Sequence, residues 1–181
     1  MRFHNMNSFS SVLSSPEAAF LASTNQLKRL LLVYRTKGAA AIHCFLWHTV
    51  LLYVANAVIR KKRLVVDPDW ELWFLLCLAG YKALFRCFKA SGRIYRALLF
   101  MAVRNGLMAA ADAQEAMKKL DAVKTPTDHT VIDNLSTMIV DLDLAITDPA
   151  AAQAGILAEK FNDLALFEEF IISTAAGDGR A

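Results

Sequence analysis

The residue types that most often perform chemistry in proteins are sparse in this chain and poorly spaced. His43 and His48 lie five residues apart, so they do not stack on one helical face as metal ligands four apart would. Asp141 and Asp143 lie two residues apart, hence on different faces of a helix, and cannot form an acid–base couple. We therefore interpret the histidines as core or edge residues and the two carboxylates as solvated surface groups.

Motifs for phosphate binding, nucleophilic catalysis and zinc binding are missing from the sequence. There is no G-x-x-x-x-G-K-[ST], no G-x-G-x-x-G and no G-x-S-x-G, and the chain has seven glycines. Cys44, Cys77 and Cys87 form no C-x-x-C pair, which indicates free, mostly buried thiols in a reducing compartment. The sequence thus predicts a protein that is not an enzyme and that has no cofactor or metal of its own.

Two segments have compositions that suit contacts with other molecules. Arg60, Lys61, Lys62 and Arg63 form a basic run, typical of a nuclear-import or anion-contact patch and equally of a helix end whose dipole they stabilise. Residues 162–172 mix acids with large apolar groups, as acidic activation segments do, although their regular spacing favours a packed terminal helix. The candidate partner-contact residues in this segment are Leu164, Phe167, Glu168, Glu169 and Phe170.

The elements that must position these residues are helices. Apolar side chains recur with the helical period along nearly the whole chain, and long alternating β-branched runs are absent. The length of 181 residues suits one domain with its own core. We predict an all-α fold, an irregular multi-helix bundle of about six to seven helices, with one helical domain at residues 15–173 between flexible tails at 1–14 and 174–181.

Two helix starts are marked by a capping residue followed by proline. Ser15-Pro16-Glu17 predicts a helix that runs to about Thr36, and Asp67-Pro68-Asp69 predicts another that runs from about Pro68 to Lys89. The second helix has an aromatic-rich seam, which makes it the strongest packing element in the sequence. Its residues are Trp70, Phe74, Cys77, Tyr81, Leu84 and Phe88.

The second half of the chain has weaker helix signals. A helix after Ser91-Gly92 should stop at the cap signal Asn105-Gly106. Residues 109–123 predict a more polar helix, and residues 124–128 a linker. A further helix is predicted to end at Asp148-Pro149, which also begins the last helix, and the last helix should continue to about Ile171. The apolar face of the further helix consists of Ile132, Leu135, Met138, Ile139 and Leu142.

Residues 39–59 contain no charged side chain, and a run of that length could cross a bilayer as one helix. Its polar residues form one narrow stripe that runs directly into charged positions, and no second uncharged stretch approaches it in length. We favour a buried helix over a single-span membrane anchor. The stripe consists of Thr49, Tyr53, Asn56, Arg60 and Arg63.

Charge is divided between two blocks of the chain. Residues 28–104 contain 14 basic and 3 acidic side chains, whereas residues 105–181 contain 5 basic and 13 acidic ones. Two halves of one domain can attract each other through such an asymmetry, which is the interpretation that we favour. A basic helical module that binds nucleic acid is the alternative.

Three apolar and aromatic blocks resemble, in their order, a region of fungal transcription factors. They are Trp47–Ala57, Asp67–Cys77 with Gly80-Tyr81, and Arg96–Leu99 with Met101–Arg104; the tail adds Asp141–Ala145, Leu157–Phe161 and Leu164–Phe167. The region is the C-terminal all-helical regulatory region that lies downstream of a zinc binuclear-cluster DNA-binding module. The resemblance covers roughly Phe45 to Ile172.

The resemblance implies a regulatory helical domain in the nucleus that acts through protein contacts or through a conformation biased by an effector. In the family a six-cysteine cluster binds two zinc ions and contacts DNA. This chain has no such cluster, so zinc is expected only in a DNA-binding module outside the chain, and no sequence-specific DNA contact is expected from these residues. The expected partners are other proteins, the protein's own DNA-binding region or a second copy in a homodimer, and a membrane is not expected.

Overall fold

The computed structural model describes residues 15–36, 45–64, 69–123 and 133–164. The tails predicted at residues 1–14 and 174–181 lie outside this part of the chain, as do His43, Cys44 and the linker at 124–128. The far end of the predicted helical domain, residues 165–173, also lies outside it.

The described residues form an all-α fold, as the sequence predicted, and contain no strand. The described part also contains two short 3-10 turns, Asp133–Thr137 and Leu144–Ile146. An isolated antiparallel bridge joins Ile139 and Gln153. The helices are α1 (Pro16–Thr36), α2 (Phe45–Leu64), α3 (Trp70–Phe85), α4 (Ser91–Arg104), α5 (Ala110–Asp121) and α6 (residues 154–164).

Two of the helix ends predicted from local signals are confirmed. The start predicted at Asp67-Pro68 lies outside the described residues, and the structure shows α3 from Trp70 onward. Ser15 caps α1, because its Oγ accepts a hydrogen bond from the Ala18 N–H at 3.1 Å. After α4, Gly106 adopts a φ of 66°. The Leu107 N–H donates to the Ala102 carbonyl and the Gly106 N–H donates to the Val103 carbonyl, both at 2.9 Å. This is a Schellman motif, which needs a residue that tolerates the left-handed conformation.

Helix α2 is the central helix of the bundle. Leu51, Val54 and Ala55 are completely buried, and α1, α3 and α4 all pack against this helix. Tyr34 of α1 stacks on Trp47 with ring centroids 4.7 Å apart. Among the described residues, no helix combines the length and the hydrophobicity that crossing a membrane requires. The burial of Leu51, Val54 and Ala55 confirms the prediction of a helix buried among its neighbours for the described part of this segment.

Helices α2 and α3 are in close contact at Gly80. A Cβ atom placed on Gly80 would lie 2.6 Å from Cδ2 of Leu51, so only a glycine lets the two helices come this close without a shift. The predicted aromatic seam of α3 forms the other side of this contact. Its residues Phe74, Cys77, Tyr81 and Leu84 are buried, and Trp70 and Phe88 pack against the core.

Three predicted helices differ from the observed ones. Helix α3 ends at Phe85, and turns replace its last predicted residues up to Lys89. The helix predicted over Ile132–Leu142 is wrong, because its described residues, 133–142, form the 3-10 turn Asp133–Thr137 followed by irregular backbone. The last helix begins at residue 154 and not at Pro149, since Asp148 Oδ1 accepts the Ala151 N–H at 3.0 Å and holds a turn there.

Replacing Gly80 with alanine tests the α2–α3 contact. We expect Gly80→Ala to lower the free energy of unfolding by up to about 2 kcal/mol, because overpacking costs about 1 to 3 kcal/mol and the better helix propensity of alanine offsets about 1 kcal/mol. In a Leu51→Ala background the obstructing δ carbons are gone, so the same substitution should be neutral or stabilising. Urea unfolding of the four proteins measures both effects, and equal costs in the two backgrounds would contradict this packing.

Candidate functional site

The irregular segment between α5 and α6 is fixed to the bundle by side chains of two helices, α2 and α4. We call residues 138–148 the clasp segment. It begins after the 3-10 turn Asp133–Thr137, and it lies against α2 and α4. Its backbone is mostly non-helical, so its N–H and C=O groups need partners from elsewhere in the protein.

Asn56 of α2 supplies two of these hydrogen bonds and makes a third within its own helix. Its Nδ2 donates to the Val140 carbonyl at 2.8 Å and to the Leu52 carbonyl of its own helix at 3.0 Å. Its Oδ1 accepts the Leu142 N–H at 3.0 Å. The amide of Asn56 therefore pairs with the clasp segment on both sides of Asp141, much as a neighbouring strand would.

Asp141 supplies the second attachment and corrects our interpretation of this carboxylate as a solvated surface group. It is only 2% exposed, and its Oδ2 accepts a hydrogen bond from Nη2 of Arg104 on α4 at 2.5 Å. Its Oδ1 accepts the Leu144 N–H at 2.9 Å. A carboxylate so deeply buried is stable as an ion only with such partners. Asp143, in contrast, is exposed as predicted.

The clasp segment is also bonded to the start of α6. The Val140 N–H donates to the Ala152 carbonyl at 2.8 Å, and the Ala154 N–H donates to the Met138 carbonyl at 2.8 Å. These bonds flank the isolated bridge between Ile139 and Gln153. The segment is therefore held on one side by helix side chains and on the other by main-chain groups.

His48 of α2 forms the third side-chain attachment. Its Nε2 lies 2.9 Å from Sδ of Met138 in the clasp segment, and its Nδ1 lies 2.9 Å from the hydroxyl of Tyr81 on α3. An Nε2–H directed at the sulfur and a hydroxyl that donates to Nδ1 satisfy all three groups. Burial lowers the pKa of His48 to about 4 and raises the pKa of the Tyr81 phenol.

The buried groups around His48 are therefore suited to stabilising the fold and not to proton transfer. A histidine with so low a pKa is neutral near pH 7, and the Tyr81 phenol stays protonated. Cys77, which lies in the same core, has its pKa raised by burial to about 12, so it is a thiol and a poor nucleophile. Among the described residues, no group of three or more His, Cys, Asp or Glu is placed to hold a metal ion.

Two concave surfaces are present on the described part of the protein. The first is a cavity of about 530 Å³ between α2, α4 and the clasp segment; we call it the clasp cavity. The second is a groove of about 560 Å³ between α3 and α5, with an apolar floor that includes Phe74, Leu78 and Leu107. Side chains lining the clasp cavity are Asn56, Ile59, Met101, Arg104, Asn105, Asp141, Asp143 and Leu144.

The basic run at residues 60–63 lies apart from the attachments of the clasp segment. Most of the candidate partner-contact segment lies outside the described residues. Arg60 is exposed and lies over the Phe20 ring of α1, with its guanidinium carbon 5.3 Å from the ring centroid. Lys61, Lys62 and Arg63 belong to the last turn of α2. Leu164 is partly buried on α6, and Phe167, Glu168, Glu169 and Phe170 lie outside the described part of the chain.

Ion pairs connect the basic and acidic blocks of the sequence. Arg104 pairs with Asp141, and Arg96 of α4 lies 3.5 Å from Asp121 of α5. In both pairs the cation belongs to the basic block and the anion to the acidic block, which supports attraction within the domain. In the sequence Asn56 stands out only as part of a polar stripe and Arg104 does not stand out, because their partners lie 84 and 37 residues away in the chain.

Arg96 and Arg104 of α4 provide a matched comparison for the buried attachment. We expect Arg104→Ala to lower the free energy of unfolding by about 2 kcal/mol, since it leaves the buried Asp141 carboxylate with the Leu144 N–H and without its cation. Arg96→Ala, which removes a more exposed pair, should cost less than about 1 kcal/mol. Chemical unfolding measures both, and similar costs would refute the role of Asp141 as an anchor.

The buried His48 makes stability depend on pH. Its folded pKa of about 4 lies below the unfolded value of 6.5, so unfolding takes up a proton between these values and stability falls as pH falls through this window. The loss attributable to His48 between about pH 7.5 and pH 5 is on the order of 2 kcal/mol. Urea unfolding of the wild type and of His48→Gln at both pH values isolates the loss of stability that is due to His48. A wild type with the same pH dependence as the variant would disprove the assignment.

Comparison with known proteins does not place the chain in a family. No protein-family model, no curated protein and no solved structure matches it. The resemblance to the regulatory region of fungal transcription factors stays a prediction, and a function has to be argued from the geometry of the clasp segment and its surroundings.

Proposed function

We propose that this chain is the regulatory, non-enzymatic helical domain of a fungal-type transcription factor and works in the nucleus. It regulates through contacts with other proteins or with the protein's own DNA-binding region, or through a conformation that an effector biases. A homodimer of the chain is one form that such contacts take. Zinc and the sequence-specific reading of DNA belong to a module outside this chain.

The observation that carries the proposal is the attachment of the clasp segment. A regulatory domain needs an element with two arrangements whose balance a ligand or partner can shift. The clasp segment has few regular hydrogen bonds of its own, and the side chains that attach it, Asn56, His48 and Arg104, come from distant parts of the sequence. Each such attachment contributes about 1 to 3 kcal/mol, within reach of a binding event.

The groove between α3 and α5 supports the part of the proposal that involves protein contacts. Its floor is apolar and its rim carries both signs of charge, a composition typical of protein interfaces. Leu72 and Leu75 extend the apolar surface along the outer side of α3, where they are 56% and 47% exposed. The charged rim residues are Glu71, Lys82, Asp112, Glu115 and Lys119.

A reporter assay tests the proposal. The full chain is fused to a heterologous DNA-binding domain, and transcription from a matching promoter is compared with that of the DNA-binding domain alone. We expect the fusion to raise or lower reporter output at least about threefold, and Asn56→Ala to change that output, because it removes two hydrogen bonds that fix the clasp segment.

Thr49→Ala is the matched control, since Thr49 is exposed on the same helix and the same polar stripe. It should behave like the wild type in the reporter assay. Equal output from the fusion, its Asn56→Ala variant and the empty DNA-binding domain, with the proteins folded and present at equal levels, would refute a regulatory role.

A further inference from the structure

The clasp cavity has the dimensions of a site for a small organic molecule. Its volume of about 530 Å³ lies within the range of about 300 to 1,000 Å³ that ligand pockets span. Ile59, Met101 and Leu144 give it an apolar side. Met101 is long and unbranched, so this side can adapt to the shape of a bound group.

The charges that line the clasp cavity favour a cation. Arg104 and Asp141 neutralise each other through their ion pair. Asp143 remains as an exposed carboxylate, and the carboxyl end of α4, which lies at Arg104, adds a partial negative charge of about half a unit. The balance is negative, so a bound anion would be repelled and a bound cation attracted.

Apart from the remaining N–H groups of Arg104, the hydrogen-bonding groups that line the cavity and that the clasp segment does not use are acceptors. Asn56 uses its amide for bonds to the backbone, so it holds the wall of the cavity in place. Asn105 donates from Nδ2 to the Met101 carbonyl at 2.7 Å, which leaves its Oδ1 as an acceptor. Together with the carboxylate of Asp143, this oxygen suits a group that has several donors and no acceptor, as an ammonium does.

We propose that the clasp cavity binds a small organic monocation that has a primary ammonium group and a compact apolar body. The ammonium pairs with Asp143 and donates to Asn105 Oδ1, while the apolar body packs on Ile59, Met101 and Leu144. Such a ligand touches α2, α4 and the clasp segment at once, so it stabilises the attached arrangement of the segment. The proposal that the cavity binds such a cation is independent of the proposed function. The role of that cation as an effector rests on the proposed function.

Three probes with the same phenyl body and different charges test this site. Phenethylamine, 2-phenylethanol and 3-phenylpropionate are titrated into the full chain, and binding is followed by calorimetry and by protein NMR shifts. We expect phenethylamine to bind at least about tenfold more tightly than the alcohol, and the carboxylate to bind more weakly still. Equal binding of all three, preference for the carboxylate, or no binding up to about 10 mM would overturn the proposal.

Two charge-matched variants locate the bound ammonium. Asp143→Asn should weaken phenethylamine at least about tenfold, with no effect on the alcohol. Asp163→Asn removes an exposed carboxylate from α6, outside the residues that line the cavity, and should leave affinity unchanged. Thermal unfolding checks that both variants fold, and an equal loss in both variants would mean that the cation is attracted only by the overall charge.

Amide hydrogen exchange reports whether the ligand acts on the clasp segment. Phenethylamine should slow exchange at the Val140 and Leu142 amides, because a bound ligand stabilises the attached arrangement. This experiment uses no reporter, so its result and that of the reporter assay are independent. Binding with slowed exchange supports the site even where the reporter is silent, whereas unchanged exchange at saturation would overturn the action on the segment.

Discussion

The arrangement of this protein depends on enclosing α2. Hydrophobic surface extends around most of this helix, and leaving it in water would cost about 25 cal/mol for each square ångström. Each neighbour covers one side: α1 through the stacking of Tyr34 on Trp47, α3 through the close approach of Gly80 to Leu51, and the clasp segment through Asn56. The positions of the other elements follow from the need to cover this one helix.

Enclosing α2 also creates the polar constraints that shape the clasp segment. Asn56 and His48 lie on the helix where other parts of the chain cover it, so their polar atoms need partners within the protein. The clasp segment provides them through Val140, Leu142 and Met138. A helix at this place would use the same backbone groups for its own bonds. The irregular conformation is therefore the one that satisfies α2.

The competition between local helix signals and long-range hydrogen bonds explains what could be predicted from the sequence. The start of α1 at Ser15, the end of α4 at Gly106 and the seam of α3 depend on local or periodic signals, and all three were predicted. The apolar spacing around Met138 and Leu142 also matches a helix, yet hydrogen bonds to residues over 80 positions away prevail. The burial of Asp141 could not be predicted for the same reason, because it depends on the position of Arg104.

Close apolar packing and directional hydrogen bonds also differ in how easily a binding partner can break them. The core around Leu51, Tyr81 and Leu98 is held by close packing, and displacing it would lose many contacts together. The clasp segment is held by a few directional bonds, each of about 1 to 3 kcal/mol. A molecule that binds one arrangement of the segment tenfold to a hundredfold more tightly supplies about 1.4 to 2.7 kcal/mol, which is comparable to one bond and far below the cost of opening the core. Any conformational response of this domain to a ligand should therefore begin at the clasp segment, with α2 and α3 as its fixed support.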